Sequence, residues 1–567
     1  MARKFKKLPY GKSNFADLIE QNFAYVDKTR FIELLENDSN SSQLLLRPRR
    51  FGKSLFLSVL ENYYDINRKD KFETLFGNLY IGKNPTSQRN KYLVIRFDFS
   101  GLNIDSREGF NTSFFDVIKN AVLSFLEYYK NLIDNADLLI TQVYETSSSS
   151  GILDILYRAA NNAATPLFVI IDEYDHFANK LIAMGEKYVK EVKSGGIVRA
   201  FYEKLKFGTS SIVKRIFMTG VSPMMMNDVA SSFNMVSNLS LLPAYNEMFG
   251  FTRKEVEQLA SETGIDMSLI NVDMEAYYNG YLFNDKGKNK VYNSQMVLFL
   301  FYKITQLGEQ PKEIIDINLK SDSGRLQQLA ENENNREKML QIIKEGGIFS
   351  EVIENFSLDD LQNEKYFISL LFYLGMLTNG GVVEERTYLK IPNYSIKTLF
   401  WEYLAFYIQE RSEKTLSYSA FSDTVTEMAF RGNIYPYLEY FSENILKLLS
   451  NRDLMNFDEK YIKATMLPTL YLSNLYLPVS EDENKNGYSD IYLQKRPTAK
   501  SIKYEYIFEL KYLKANATKK EKNEKMNEAI AQIEKYKKDE RYANRDDMKF
   551  IAIVFEGKGD YEAKEVK

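Results

Sequence analysis

Residues 43–65 read QLLLRPRRFGKSLFLSVLENYYD: an apolar run, a turn carrying Gly52-Lys53-Ser54, then apolar residues at helical spacing through Leu55, Val59 and Leu60. This is the strand, loop and helix order of a P-loop, where backbone N–H groups and a helix N-terminus hold phosphate oxygens. In such a loop a lysine reaches the β and γ phosphates and the following hydroxyl takes Mg²⁺. Those roles fall to Lys53 and Ser54, with Arg50 and Gly52 completing the nucleotide-binding turn. The G-x-x-x-x-G-K-[ST] pattern departs at its first position, where Arg47 replaces glycine. Taken alone, Gly-Lys-Ser also fits a plain helix-initiating turn.

A second stretch raises the odds of a nucleotide site. Residues 166–175, PLFVIIDEYD, form an apolar β run ending in acids, which brings carboxylates to the C-terminal edge of a strand. Asp172 is the candidate Mg²⁺ ligand and Glu173 the candidate general base that polarises the attacking water. A further strand, KRIFMTG at 214–220, ends in Thr219 with Ser222 close behind, positions suited to sensing the γ-phosphate. With YLVIRFDF at 92–99 these runs predict the parallel sheet of a P-loop NTPase. His176, just past the acids, is read as a helix-start or packing residue.

Composition narrows the remaining chemistry. A chain of 567 residues predicts several domains. With no cysteine, disulfides, thiolate zinc sites, iron–sulfur clusters and cysteine nucleophiles are excluded. The single histidine excludes two-His metal motifs, so any metal chemistry must use carboxylates, which suit Mg²⁺ or Mn²⁺. At a net charge of −3, any nucleic-acid surface has to be a local basic patch. MARKFKKLPYGKS is basic without a following apolar segment, and no apolar run approaches the roughly 18 residues of a membrane span. The reading is a cytoplasmic protein with no membrane partner.

From about residue 249 the pattern turns mainly helical. Thr252 followed by Glu255 predicts a capping-box start, with the helix ending near Gly264. Residues 320–347 are polar enough to include a mobile segment. FISLLFYLGMLT (367–378), a Gly-Gly turn and EERTYLKIPN (384–393) predict helix, turn and hairpin. Such a winged-helix-like unit either contacts DNA or packs internally.

The C-terminal stretch carries a second constellation. A helix from about Glu459 to Tyr471 precedes LYLPVSED, GYSDIYLQ and SIKYEYIFELKYL, then a long charged helix and KFIAIVF. This α-β-β-β-α-β order is that of a restriction-endonuclease-like core. Asp490 opens the second strand, and Glu509 with Lys511 forms E-x-K on the third. Residues i and i+2 of a strand share a face, so Glu509 and Lys511 point into one cleft that Asp490 can meet. Asp490 and Glu509 are the candidate metal ligands, with the carbonyl of Leu510 completing the set. Lys511 is placed to orient water or stabilise developing charge. Gln532 and Tyr536 share a face of the following helix. Glu459 and Glu481 are secondary acids. The stretch from Lys495 to Lys549 is rich in lysine and arginine, as phosphate binding requires.

LLRPRRFGKSL (45–55), YVDKT (25–29), IDEYD (171–175) and TGVSP (219–223) resemble the bacterial AAA-ATPase-like family, whose members typically end in a PD-(D/E)xK nuclease domain. In that family RPRR commonly replaces the first glycine. The resemblance makes residues 275–300 a lid beyond the P-loop core, and Asp27 and Lys28 part of either the nucleotide pocket or a strand-end turn. The Q-x-x-x-Y spacing of Gln532 and Tyr536 resembles the RecB-type nuclease branch, where such residues join the catalytic set. One departure concerns Gly487, Tyr488 and Ser489, where the family often has Gly-Arg before the motif aspartate.

The combined expectation is an α/β multidomain protein. A P-loop domain spans residues 1–248, a helical and winged-helix-like region 249–430, and a nuclease domain 431–567. It would bind and hydrolyse ATP with Mg²⁺ or Mn²⁺ and cleave nucleic acid, DNA first, as a monomer or an oligomer. The rival expectation is a nucleotide-operated DNA- or protein-binding regulator that does not cleave.

Overall fold

The computed structural model describes residues 5–103, 106–176, 196–224, 236–316, 323–330, 332–357, 359–411, 418–447, 458–473, 475–484, 487–496, 499, 501–543, 545–557 and 559–567. The chain divides into two units, Met1–Gln310 with Gln328–Lys338 and Ile348–Asn393, and Pro311–Gln327 with Met339–Gly347 and Tyr394–Lys567.

In the first unit, β1 (Ser42–Leu46) is buried throughout and leads through the 47–52 turn into α1 (Lys53–Tyr64). Gly52 stands before that helix at φ 96°, a left-handed conformation that costs a residue with a side chain about 1–2 kcal/mol. β2 (Leu93–Asp98), β3 (Leu167–Asp172), β4 (Val213–Gly220) and the short β5 (Ser237–Asn238) complete a parallel sheet of order β2-β3-β4-β1-β5. Every residue of LFVIID in β3 is buried, as in a parallel sheet covered on both faces. Because the strands are parallel, the turn after β1, the acids ending β3 and Thr219 near the end of β4 emerge at one edge. That C-terminal edge is where open α/β sheets bind ligands. Beyond the sheet, α2 (Arg253–Thr263) begins with the expected capping box between Thr252 and Glu255 and ends at Gly264, φ 72°.

The middle of the chain contains a short helix, Ser323–Leu329, and α3 (Glu333–Glu345); residues 320–322 and 331 lie outside the described residues. Next come β6 (Gly347–Phe349), α4 (Glu364–Tyr373), β7 (Thr378–Val383) and β8 (Arg386–Lys390), with sheet order β6-β8-β7. This is the winged-helix-like arrangement expected, with one correction. Gly380 and Gly381 are not the turn; they lie inside β7, where the register slips between Asn379 and Val382. Glu384 and Glu385 make the turn at φ 49° and 61°, the left-handed pair that a two-residue hairpin connection demands.

In the second unit, α5 (Glu459–Leu472) is capped by Asp458, which accepts from the Tyr461 N–H at 2.8 Å. β9 (Tyr476–Asn484), β10 (Gly487–Lys495), β11 (Glu505–Leu513), α6 (Lys519–Tyr536), β12 (Met548–Glu556) and β13 (Asp560–Glu565) follow. The sheet order is β13-β12-β11-β10-β9, with β11 and β12 parallel and the other pairs antiparallel. A parallel pair needs a crossover, and α6 supplies it. It buries Met526, Ala529, Ile533 and Tyr536 in one core with Ile507, Ala552 and Val554. Asp490 is the fourth residue of β10 rather than its first, because pairing with β9 already begins at Gly487. No helix among the described residues is long and apolar enough to cross a membrane.

Candidate functional site

At the C-terminal edge of the first sheet lies a cavity of about 640 Å³. Its lining combines charged and polar residues, Arg49, Arg50, Lys53 and Ser54 with Asp172, Glu173 and His176, and apolar ones, among them Pro9, Val26, Phe249 and Phe251. A lining that mixes charged and apolar groups suits a ligand with both an anionic and an apolar part. Lys53 is nearly buried, its Nζ donating to the carbonyls of Arg47 at 2.9 Å and Pro48 at 3.0 Å. Burial pulls its pKa down while Glu173, Asp172 and Asp175 oppose that pull.

Arg47, the residue in place of glycine, turns away from this cavity. Its guanidinium is buried and donates to the carbonyls of Leu46, Ser240 and Tyr245, each at 2.8 Å. It lies 4.0 Å from the Phe283 ring centroid, and burial pushes its pKa down to about 9. Arg47 therefore braces the loop without lining the cavity.

Asp172 is 1% exposed and held from three directions. Oδ1 accepts from the Thr219 hydroxyl at 2.8 Å and the Glu173 N–H at 3.1 Å, and Oδ2 accepts from Arg96 at 2.6 Å. Thr219 is thus fully buried behind Asp172 rather than at the cavity wall. Glu173 takes φ 52°, a strained backbone of the kind that gathers at functional sites. Burial would raise its carboxyl, but His176, Lys53 and Arg49 outweigh that and bring it down to about 2. Asp175 accepts from the N–H groups of Val221 and Ser222 and from the Ser222 hydroxyl, bracing the ends of β3 and β4. Of the YVDKT residues, Asp27 caps Thr29 and accepts from the Tyr80 N–H, a turn role. Lys28 lines the cavity and pairs with Glu255 at 2.7 Å. Arg96, the lone arginine inside the apolar run YLVIRFDF, is a further residue of this site, and that isolated charge in a strand is its only local signal.

The second unit holds the carboxylate cluster. Asp490 on β10 accepts from the Leu510 N–H at 2.8 Å, which fixes it beside β11. Glu509 is 2% exposed and accepts from Lys511 Nζ at 2.8 Å. Lys511 also donates to the Leu510 carbonyl at 3.0 Å and lies 3.9 Å from Glu459. Leu510, between them, is buried on the other face. Burial, then the neighbouring Asp490, pushes the Glu509 carboxyl up to about 7, with Lys511 and Tyr536 opposing. Tyr536 and Glu509 are thus electrostatic neighbours, and burial and Glu509 raise the tyrosine's pKa in turn. Gln532, one turn earlier on α6, has a buried amide oxygen with no hydrogen-bond partner among the described residues. Lys463, on α5, lies 3.8 Å from Asp490 and was not anticipated. The side chain of Glu481 lies outside the described residues.

Among the described residues no group of three or more His, Cys, Asp or Glu side chains forms a metal cage. Mg²⁺ needs less, since it keeps several waters and uses one or two carboxylates. Asp490 with Glu509, and Ser54 with Asp172, fit that pattern as oxygen donors.

Two family models match the chain. Residues 9–230 match the one described as "Predicted AAA-ATPase", and residues 457–565 match the PD-(D/E)XK nuclease superfamily. The chain joins an AAA-ATPase-like domain to a PD-(D/E)XK nuclease superfamily domain. It is similar to an uncharacterized protein in the vnfD 5′ region of Azotobacter chroococcum mcd 1, 26% identical over 406 residues, covering 69% of this chain and 68% of that one. Among solved structures, the Aeropyrum pernix ORC1 protein in complex with DNA matches at 12% identity, with 67% of this chain, 93% of that chain and a TM-score of 0.28. The Aeropyrum pernix ORC2 protein, in ADPNP–ADP complexes, matches at 11% identity, with 72% of this chain, 97% of that chain and a TM-score of 0.33.

Proposed function

We propose that this is a cytoplasmic ATP-binding and ATP-hydrolysing protein that cleaves nucleic acid, DNA first, at a metal-dependent site formed by Asp490, Glu509 and Lys511. The observation that carries the reading is the convergence of Asp490 and the E-x-K pair on adjacent strands, with Lys511 Nζ 2.8 Å from Glu509. In the nucleotide cavity, Lys53 exchanges its two loop carbonyls for phosphate oxygens, and the N-terminus of α1 adds backbone N–H donors. Arg50 and Gly52 shape the turn, Thr219 keeps Asp172 oriented, and Glu173, ionised at neutral pH, orients a water and accepts its proton. Mg²⁺ held by Ser54 and Asp172 would supply charge neutralisation on the phosphates.

At the second site, Mg²⁺ or Mn²⁺ held by Asp490 and Glu509 would supply Lewis acidity toward the scissile phosphate. Lys511 holds the attacking water or balances charge developing on the phosphate. Gln532 and Tyr536 position substrate and Glu509 from α6. A non-cleaving regulator is the second reading, favoured by Tyr488 standing where a basic neighbour of the aspartate would meet DNA. Incubating the purified protein with single- and double-stranded DNA and RNA, with Mg²⁺ or Mn²⁺ and with or without ATP, separates the two. Cleavage in any arm supports the nuclease reading, and intact substrate in every arm refutes it.

A further inference from the structure

Arg96 on β2 reaches across to the end of β3. Its Nη2 donates to Asp172 Oδ2 at 2.6 Å, and the same guanidinium lies 3.6 Å from Glu61 on α1 and 3.8 Å from Asp98. Asp172 is buried, and its other oxygen already accepts from Thr219 and Glu173. Both oxygens of the candidate metal ligand are therefore engaged, one of them by a full positive charge. A divalent cation and a guanidinium on the same buried oxygen repel each other, and the repulsion is strong where water is scarce.

We propose that Arg96 is a displaceable counter-cation of the nucleotide site, paired with Asp172 until the metal–nucleotide complex binds and then held by Glu61 and Asp98. The local geometry suits the exchange. Both receiving carboxylates are already within 4.0 Å, so the guanidinium, with five N–H donors, can release Asp172 without losing its ionic partners. Glu61 sits on the helix that begins with Lys53 and Ser54, so the exchange ties that helix more firmly to β2 as the site fills.

This inference rests on the nucleotide reading above and is tested beside it by titrating a fluorescent ATP analogue into the full-length protein over a Mg²⁺ series. If Arg96 competes with the metal, Arg96→Gln should lower the Mg²⁺ concentration for half-maximal nucleotide binding by about fivefold or more, the range of typical coupling between sites. Thermal unfolding without metal should show the variant less stable than wild type, and saturating Mg²⁺–nucleotide should close that gap, because ligand binding stabilises the folded state. An unchanged or increased Mg²⁺ requirement would make Arg96 a fixed support for Asp172 and overturn the inference, leaving the nucleotide reading standing. If wild type binds no analogue at any Mg²⁺ concentration, the nucleotide reading and this inference fall together. Should Arg96→Gln not fold, Arg96→Met, which also removes the charge but keeps most of the side-chain length, must lower the Mg²⁺ requirement; no change refutes the exchange.

Discussion

Lys53 meets two carbonyls of its own loop, and these are the contacts a phosphate would replace. Removing the ammonium in Lys53→Ala should weaken binding of an ATP analogue at least tenfold, about 1.4 kcal/mol; unchanged affinity in a fluorescence titration would remove Lys53 from the site. Glu173→Gln keeps the shape and loses the base, so binding should persist while hydrolysis slows, as a phosphate-release assay would report. At the second site the titrating residue is Glu509. Burial and Asp490 push its carboxyl up to about 7 from the ordinary 4.5, so its stabilising contribution is complete below pH 4.5 and is lost as pH rises through 7. Glu509→Gln is fixed in the neutral form and should lose less thermal stability than wild type between about pH 5 and 8 in EDTA. Equal losses in Tm would contradict that assignment.

At the scale of elements, the β7–β8 hairpin carries two glutamates in left-handed conformations where asparagine and glycine are favoured. Replacing Glu384 by Asn and Glu385 by Gly together should raise stability by about 1 kcal/mol, read from the denaturant midpoint; a lower midpoint would mean that the glutamates make compensating contacts. That turn was misread because glycine is the usual signal for a left-handed position, and here the glycines serve a register slip instead. Elements with a strong local signal were legible: β3 by its unbroken apolar run, α2 by Thr252, Glu255 and Gly264, and the E-x-K face by strand alternation. Contacts between distant segments were not. Arg47 is held by carbonyls 193 and 198 residues further on, and Arg96 meets Asp172 across 76 residues. No local pattern encodes partners at such separations, so Arg47 read as a departure and Arg96 was overlooked. The sequence suggests that Thr219 faces the γ-phosphate, and the packing of β4 against β3 turns its hydroxyl onto Asp172 instead.

Across the whole molecule, the two sites belong to separate units of the chain, each with its own donors. On the proposed function, ATP would influence cleavage only through a conformational equilibrium that both sites bias, since phosphodiester hydrolysis needs metal, water and substrate but no nucleotide. Lys53→Ala should accordingly reduce cleavage of duplex substrate, if the ATPase controls access to it, while a short single strand at high Mn²⁺ is still cut. Loss of both in a gel assay would show that the P-loop unit is needed for the chemistry itself. The most direct measurement of the central claim compares wild type with Asp490→Ala, purified side by side free of contaminating nuclease, for cleavage of labelled DNA and RNA with Mn²⁺ and for ATP-analogue binding. The expected result is cleavage by wild type, none by the variant, and equal nucleotide affinity in both. Cleavage by Asp490→Ala at the wild-type rate would contradict the assignment of the nuclease centre.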